Sequence, residues 1–369
     1  ALALAAFALC YIFYPAFEAS LRPSGVDAQC RTFQSPSAAR TSDSSEYSEE
    51  GDILLSLIIP AYNEEERLVS MLDATESYLS AESCPGLEML RKAVRSTSNT
   101  GKKTASKSIG TTVEWILVND GSKDQTSQVY ESYAMDQLKT KKSKNTQMIW
   151  RLCSLSQNSG KGAAVQAGML LAKGRYRLMV DADGATEFGP GLEAVSKFAS
   201  SHEFVFGSRA VAREESESEN HDDDTSTGTS VQRSWIRRLL QAGFHAFVVL
   251  IVGNSQVQDT QCGFKLFLGS SAQTLFRDLH LHRWAFDTEL FVRAGRLRLN
   301  LKEVRVPWQE IDGSKLNTGT MSLIRVAIGM LRDMICVRLC YTMGIWVTEQ
   351  PEKFDGKQAD PSTSSKKDR

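Results

Sequence analysis

The sequence predicts an α/β fold in which a largely parallel sheet is flanked by helices. Short apolar runs that suit buried strands alternate with segments whose apolar residues recur at helical spacing. Polar and acidic residues follow directly after several of these runs. Sheets of this kind bind ligands at the carboxyl ends of their strands, so we expect a Rossmann-like arrangement with its site at that edge.

Five apolar runs are expected to form strands: residues 53–60, 115–118, 148–155, 177–180 and 204–207. The first run, ILLSLIIP, is continuously apolar, as strands buried on both faces are. Helical patterns follow the early runs at Leu68, Met71, Leu72, Leu79, Val129, Tyr130 and Tyr133. The small residues of GKGAAVQAGMLLA (160–172) predict a helix that packs closely against the sheet.

The N-terminal stretch 1–19 is uncharged as far as Phe17 and then meets Glu18. Its length falls a little short of a hydrocarbon core of about 30 Å. We expect a single membrane anchor, complete or in part, with a cleaved signal peptide as the alternative.

Segments rich in polar residues interrupt the well-patterned chain. We expect them to be disordered or to lie on the surface because they have few large apolar side chains to bury. They are a linker at 20–52, insertions at 92–112, 139–146 and 213–230, and a tail at 347–369. The folded domain then covers residues 53–346.

Charge and cysteine content exclude some classes of protein. The formal net charge of −1 gives no overall attraction to nucleic acid. The seven cysteines are scattered and form no CxxC pair, which favours reduced thiols over a disulfide framework or a zinc site.

Acidic residues follow three of the predicted strands, in YNEE (62–65), NDGS (119–122) and DAD (181–183). In an extended segment Asp181 and Asp183 point to the same side, so both can reach one cation. Mg²⁺ and Mn²⁺ bind oxygen ligands such as carboxylates, phosphates and water. The pair therefore predicts a divalent ion that holds a diphosphate. The alternative is that Asp183 caps a solvated turn.

A dinucleotide-binding site is a second alternative for the same region. Gly160 and Gly162 follow a predicted strand and open a helix, and Asp181 lies where a ribose-binding acid would be expected. However, Val165 occupies the third glycine position of that fingerprint. A dehydrogenase would also leave Asp183 without a role.

Four early motifs occur in the order PAYNEE (60–65), VNDGSKDQT (118–126), NSGKGAAVQAG (158–168) and DADG (181–184). This set resembles the family-2 inverting glycosyltransferases, which have the GT-A fold of nucleotide-diphospho-sugar transferases. The later motifs are GSRA (207–210), QRSWIRRLLQAGFH (232–245), QDTQCGFKLF (258–267), HRWAFDTEL (282–290) and VPWQEIDGSKL (306–316). Together they resemble the dolichyl-phosphate β-glucosyltransferases.

The resemblance implies transfer of glucose from UDP-glucose to dolichyl phosphate at the cytosolic face of the endoplasmic reticulum membrane. The product would be dolichyl β-D-glucosyl phosphate for assembly of N-glycan precursors. The rival within this class is a dolichyl-phosphate mannosyltransferase that uses GDP-mannose. A sugar-phosphate nucleotidyltransferase is the alternative from a different class, but it would have no use for membrane-facing helices.

The resemblance also implies roles for individual residues on the donor side. The positions expected to bind the nucleotide sugar are Pro60, Ala61, Tyr62, Glu64, Asp120, Lys161 and Asp181. Asp120 matches the acid that addresses the uridine. Asp181 and Asp183 match the acids that hold a divalent metal, Mg²⁺ or Mn²⁺, on the diphosphate. Arg209 would lie near the phosphates.

The residues needed to bind and activate the acceptor depend on whether the acceptor is already charged. A lipid phosphate is already anionic, so it needs cationic positioning more than a base, and Arg233 and Arg237 are the candidates. A hydroxyl acceptor would need a base. Asp287 and Glu289 match the family's base-like position, with a structural ion pair to Lys265 or Arg283 as the alternative.

Two apolar segments later in the chain, 239–253 and 321–346, are expected to lie in the membrane interface. The second carries Arg325, Arg332 and Arg338 among large apolar residues. The alternative is that both segments form ordinary core helices.

Overall fold

The computed structural model describes residues 2–21, 28–33, 53–98, 111–140, 146–209, 251, 253, 257–309, 311 and 320–348. Outside this part of the chain lie the predicted insertion 213–230, nearly all of the apolar segment 239–253, and the tail beyond residue 348. Arg233 and Arg237, the expected acceptor-phosphate residues, also lie outside it.

The described residues form one eight-stranded sheet with the order β1-β4-β3-β2-β5-β7-β6-β8. The strands are β1 Ala28–Phe33, β2 Leu55–Ala61, β3 Thr112–Asn119, β4 Gln147–Leu155, β5 Tyr176–Val180, β6 Phe204–Ser208, β7 Phe264–Leu268 and β8 Leu301–Arg305. The central four, β4-β3-β2-β5, run parallel to one another. Their carboxyl ends therefore meet at a single edge.

Helices cover both faces of this sheet. They are α1 Leu2–Ser20, α2 Leu68–Ser80, α3 Pro85–Ser98, α4 Thr126–Thr140, α5 Lys161–Leu171, α6 Phe188–Ser196, α7 Gly269–Arg277, α8 Phe286–Arg296 and α9 Thr320–Thr342. Apolar residues of α2, α3, α4 and α6 pack on one face, and those of α5, α7, α8 and α9 pack on the other. Alternation along β2 divides the two cores, because Leu57 and Ile59 face the first and Ile58 faces the second.

The structure confirms the α/β architecture and the five strands predicted from apolar runs, and it adds three. β7 lies antiparallel between β5 and β6, and β8 pairs in parallel with β6. Lys265 interrupts the apolar pattern of β7, yet its side chain is fully buried. This strand was not predicted because the partner that neutralises Lys265 lies in another element.

Two segments expected to lack regular structure are partly ordered. The predicted linker 20–52 contains β1, which pairs antiparallel with the exposed edge of β4. The predicted insertion 92–112 begins inside α3, where Ala93 and Val94 are buried against the sheet. In both places a tertiary contact stabilises a segment that is locally polar.

One pair of cysteines departs from the expectation of reduced, scattered thiols. Cys30 of β1 lies directly opposite Cys153 of β4, and the two are joined as a disulfide with their Cα atoms 4.1 Å apart. The pairing of β1 with β4 creates this bond, and the sequence spacing of the two residues gave no signal for it.

The membrane anchor expected at residues 1–19 is not supported. That stretch does form α1, but no helix in the described part of the chain is long and apolar enough to cross a bilayer. Instead α1 packs beside α9, and the Arg332 guanidinium lies 5.2 Å from the Tyr11 ring centroid and 5.5 Å from that of Tyr14.

Candidate active site

The loops after β2 and β3 interlock at the carboxyl edge of the sheet. The Asp120 N–H donates to the Ala61 carbonyl at 2.9 Å, which continues the parallel ladder beyond both strands. Asn63 has a φ of 56°, and its N–H donates to Ser122 Oγ at 2.9 Å. In return the Lys123 N–H donates to Asn63 Oδ1 at 2.7 Å. The two loops form one rigid floor for the site.

Asp120 joins this floor to the turn before α5. Its carboxylate is buried and accepts hydrogen bonds from the Ser159 N–H at 2.6 Å and the Gly160 N–H at 2.9 Å. Burial raises the pKa of Asp120 above its ordinary value, although these two N–H groups act in the opposite direction. The acid expected to address the uridine therefore also fixes the glycine turn.

The backbone of the segment that precedes α8 packs directly against the same turn. The Ala163 N–H donates to the His282 carbonyl at 3.1 Å. Gly160 has a φ of 102°, and a Cβ there would overlap the His282 carbonyl. A Cβ on Gly162 would lie 2.8 Å from the Leu281 carbonyl oxygen. The glycines of GKG are thus required by close backbone contact at the start of α5.

Asp181 and Asp183 lie just beyond β5, as predicted, and differ in their contacts. Asp181 Oδ1 is 2.7 Å from the Lys161 ammonium nitrogen. The Asp183 carboxylate accepts a hydrogen bond from the Ala185 N–H at 3.0 Å. A Cβ at Gly263 would overlap the Asp181 carboxylate, so only glycine permits that carboxylate its present position. The backbone before β7 forms a cradle for Asp181.

This donor set fits a divalent cation that arrives with a diphosphate. Mg²⁺ takes one or two protein carboxylates and completes its shell with phosphate oxygens and water. Asp181 and Asp183 would supply the carboxylates. Among the described residues, no group of three or more His, Cys, Asp and Glu side chains is placed so that it could hold a metal ion by itself.

Asp287 is buried beside this acidic pair and forms an ion pair with Lys265. The Asp287 Oδ1 to Lys265 Nζ distance is 2.8 Å, and Lys265 also donates to the Cys262 carbonyl at 2.5 Å. Burial raises the pKa of Asp287, while Lys265 and Lys161 act to lower it. Of the two alternatives for Asp287, the structure displays the ion pair with Lys265.

Glu289 is oriented away from Asp181 and toward α9. Its fully buried carboxylate accepts hydrogen bonds from the His280 and Leu281 N–H groups, His280 Nδ1 and the Tyr341 hydroxyl, at 2.7 to 3.1 Å. Its ion-pair partner is His280 rather than Lys265 or Arg283. Both carboxylate oxygens of Glu289 are engaged in these hydrogen bonds, and its catalytic role stays a prediction.

Arg209 lies at the end of β6, where its guanidinium pairs with Asp259. Nε is 2.7 Å from Asp259 Oδ2, and Nη2 is 2.9 Å from Oδ1. The guanidinium also lies 5.6 Å from the Trp308 ring centroid. The motif analysis did not select Asp259. A partly buried arginine at a strand end nevertheless needs an acidic counter-ion such as this one.

The remaining donor-side predictions divide into two groups. Pro60 and Ala61 belong to β2, and Tyr62 follows directly, so all three line the first strand end. The Glu64 carboxylate instead pairs with Arg67, with hydrogen bonds of 2.8 and 2.9 Å. Its contact with a nucleotide stays a prediction.

Comparison with known proteins gives the family. The protein-family model described as "Glycosyl transferase family 2" matches residues 87–257 of this chain. The dolichyl-phosphate β-glucosyltransferase of Dictyostelium discoideum is 38% identical over 80% of this chain and 77% of its own length. The human enzyme of that name is 35% identical over 82% and 80%, and the Saccharomyces cerevisiae enzyme is 32% identical over 82% and 79%. The chain belongs to the dolichyl-phosphate β-glucosyltransferase family. The resemblance seen in the ordered motifs is confirmed, and so is the GT-A-like fold of family-2 glycosyltransferases.

Replacement of Gly263 by alanine in this dolichyl-phosphate β-glucosyltransferase family member tests the cradle around Asp181. The added Cβ would force the Asp181 carboxylate to move. We expect Mn²⁺ affinity in the presence of UDP to fall by about tenfold or more, as it does when the support of a metal ligand is disturbed. Electron paramagnetic resonance of free Mn²⁺ measures this affinity. Gly295→Ala, where the new Cβ meets nothing within 4 Å, is the matched control; equal affinities for the two variants would contradict the cradle.

Replacement of Glu289 by glutamine tests its structural role. Burial alone would raise the pKa of Glu289, but His280 and Arg293 outweigh it, so the pKa lies below its ordinary value of 4.5. A depressed folded-state pKa stabilises the fold above the ordinary value, and this stability is lost as the pH falls below it. We expect Glu289→Gln to lower the free energy of unfolding by about 3 kcal/mol at pH 7.

Urea unfolding at several pH values measures this effect. The difference between wild type and Glu289→Gln should shrink as the pH falls from 4.5 through the lower folded-state pKa of Glu289, because the wild-type carboxyl becomes protonated there. Glu82→Gln, at an exposed position, is the control and should change the free energy of unfolding by less than about 0.5 kcal/mol. A difference that is independent of pH would exclude the carboxylate charge as its source.

Proposed function

We propose that this chain transfers glucose from UDP-glucose to dolichyl phosphate, with inversion and with Mg²⁺ or Mn²⁺ as the cofactor. The observation that carries the proposal is the arrangement of Asp120, Lys161, Asp181 and Asp183 at one sheet edge, in a member of the dolichyl-phosphate β-glucosyltransferase family. These groups suit a nucleoside diphosphate and a divalent cation. No feature of the chain favours nucleic acid as a partner.

Departure of the nucleotide is the step that the acidic edge supports. Breakage of the bond between sugar and phosphate builds negative charge on the UDP leaving group. A metal bound by Asp181 and Asp183 would act as a Lewis acid toward that charge. Lys161, at the first turn of α5, supplies a second positive charge on the same side, and the N-terminus of the helix favours phosphate there.

The acceptor side suits a nucleophile that is already charged. Inversion requires attack on the face of the sugar opposite the leaving group. A phosphate oxygen needs no proton removed before it attacks, so a neutralised Asp287 is compatible with the reaction. Arg209 is paired with Asp259, and Arg233 and Arg237, outside the described residues, remain the proposed acceptor-phosphate contacts.

A lipid acceptor also requires contact with a membrane. We place the protein at the endoplasmic reticulum membrane with its catalytic domain toward the cytosol. Large apolar side chains are exposed along α1 and α9 and in the segment that follows α9, namely Phe7, Leu9, Tyr11, Tyr14, Phe17, Ile328, Leu331, Met343, Ile345 and Val347. Arg325 and Arg338 are exposed on α9. An apolar surface edged by basic groups suits an anionic membrane interface.

The triple variant Phe7→Ser, Leu9→Ser, Phe17→Ser tests this surface by co-sedimentation with phosphatidylcholine vesicles that contain phosphatidylserine. Phe7 is 71% exposed and Phe17 62%, so the folded protein loses little packing. We expect binding to fall by about tenfold or more, because each buried apolar side chain contributes about 1.5–3 kcal/mol. Val69→Ser with Met135→Ser, at exposed apolar positions of α2 and α4, is the control. Equal losses in both variants would argue against a defined membrane surface.

The activity is tested with purified, detergent-solubilised protein, dolichyl phosphate and radiolabelled UDP-glucose or GDP-mannose. Each donor is supplied with Mn²⁺, Mg²⁺ or EDTA. We expect label in the lipid phase from UDP-glucose only, lost with EDTA and reduced at least about a hundredfold by Asp183→Ala. Asp136→Ala, at an exposed position of α4, should keep full activity.

Each alternative outcome has a distinct meaning. Label from GDP-mannose alone would replace the proposed donor and leave the lipid acceptor in place. Activity that survives EDTA and the loss of Asp183 would contradict the metal site. The absence of lipid product from either donor, in a protein that binds UDP tightly, would contradict the lipid acceptor.

A further inference from the structure

Lys161 contacts one of the two carboxylates expected to hold the metal. Its ammonium nitrogen is 2.7 Å from Asp181 Oδ1, and its side chain is 21% exposed. An ammonium group at this distance from a carboxylate oxygen forms an ion pair with it. The positive charge at Asp181 is therefore supplied by the protein itself.

This contact conflicts with the binding of a cation at the same place. A divalent ion on Asp181 and Asp183 would share the Asp181 carboxylate with the Lys161 ammonium, which contacts its Oδ1 atom. Two positive groups at one carboxylate repel each other, and a partly buried position screens this repulsion less than bulk water does. Movement of Lys161 away from Asp181 would relieve this repulsion when a metal binds, and the lysine would then need another negative partner in the site.

The other basic groups of the described site cannot make the same exchange. Lys265 is fully buried and held by both Asp287 and the Cys262 carbonyl. Two nitrogens of the Arg209 guanidinium are engaged with Asp259. Among these three, only Lys161 has a predicted metal ligand as its ion-pair partner, and its flexible four-carbon side chain allows it to move.

The diphosphate is the negative partner that arrives with the metal. Lys161 is the first residue of α5, and the turn before it is fixed by Asp120 and by the His282 carbonyl. A diphosphate at this helix N-terminus lies within reach of the lysine without movement of the backbone. Asp287 offers no equivalent partner, because Lys265 already neutralises it.

We propose that Lys161 is a positioning residue that takes the place of the metal on Asp181 when no metal is bound and passes to the diphosphate when the metal and nucleotide bind. This inference rests on the proposed function, since it assumes a metal-bound nucleoside diphosphate. It adds that metal and nucleotide binding are coupled through one side chain. The coupling is reciprocal, so each ligand strengthens the binding of the other by the same factor.

Removal of the Lys161 charge should strengthen metal binding without nucleotide and reduce the factor by which nucleotide strengthens that binding. Without UDP, the variant Lys161→Met lacks the group that competes with the metal, so Mn²⁺ should bind about tenfold more tightly than to wild type. With UDP, the variant lacks the cation that contacts the diphosphate. The factor by which UDP strengthens Mn²⁺ binding should therefore fall by about tenfold or more. A residue with a merely structural role would weaken binding in both conditions.

The test is a titration of Mn²⁺ into the full chain, with and without UDP, followed by electron paramagnetic resonance of free Mn²⁺. Lys161→Arg keeps the charge and should retain weak binding without UDP, as in wild type. Lys197→Met, at an exposed position just after α6, is the control and should leave both affinities unchanged. Circular dichroism melting of each variant shows whether it is folded.

Three results would overturn the inference, and they can be told apart. If wild type binds Mn²⁺ more tightly with UDP and Lys161→Met shows the same two affinities, only the role of Lys161 fails. If wild type binds no Mn²⁺ even in the presence of UDP, the proposed metal-dependent function fails together with the inference. Weaker binding of Mn²⁺ by Lys161→Met in the absence of UDP would also exclude competition.

Discussion

The site depends on the buried carboxylate of Asp120, which connects three segments that are distant in the sequence. Its N–H continues the ladder from Ala61, and its two oxygens hold the N–H groups of Ser159 and Gly160. The turn at Gly160 then accepts the backbone of His282 at a distance that a Cβ would prevent. One acid thus sets the position of the first turn of α5, and with it the position of Lys161 relative to Asp181.

A second buried acid, Glu289, connects the segment that contacts this turn to helix α9. Glu289 holds the His280 and Leu281 N–H groups, and Tyr341 of α9 donates to the same carboxylate. The segment 280–282 therefore contacts α5 through the His282 carbonyl and α9 through Glu289. Because α9 presents apolar side chains to solvent, segment 280–282 connects that exposed surface to the glycine turn before α5.

Sequence reasoning found the elements whose signal is local and missed those that depend on distant partners. The runs that became β2 to β6 are apolar in themselves, and Asp120, Asp181 and Asp183 follow strands, so their convergence could be predicted. β7 contains Lys265, whose charge is neutralised by Asp287 of α8, and β1 is a polar edge strand ordered by β4. Neither pairing leaves a periodic pattern. The motif match likewise could not show that Asp287 and Glu289, two positions apart, face different parts of the protein.

The pairing of charges also explains how an acidic site can admit an anionic acceptor. Asp181, Asp259 and Asp287 would repel a phosphate if they were unpaired, yet in the structure each has a cation within 2.8 Å, from Lys161, Arg209 and Lys265 respectively. The Arg209–Asp259 and Lys265–Asp287 ion pairs involve neither Asp181 nor Asp183, the proposed metal ligands. Neutralisation of Asp287 removes a base that a phosphate nucleophile does not need, and it removes a negative charge that would oppose the approach of that nucleophile. Lys265 therefore supports the proposed reaction by neutralising the charge of Asp287, although it is too deeply buried to contact either substrate.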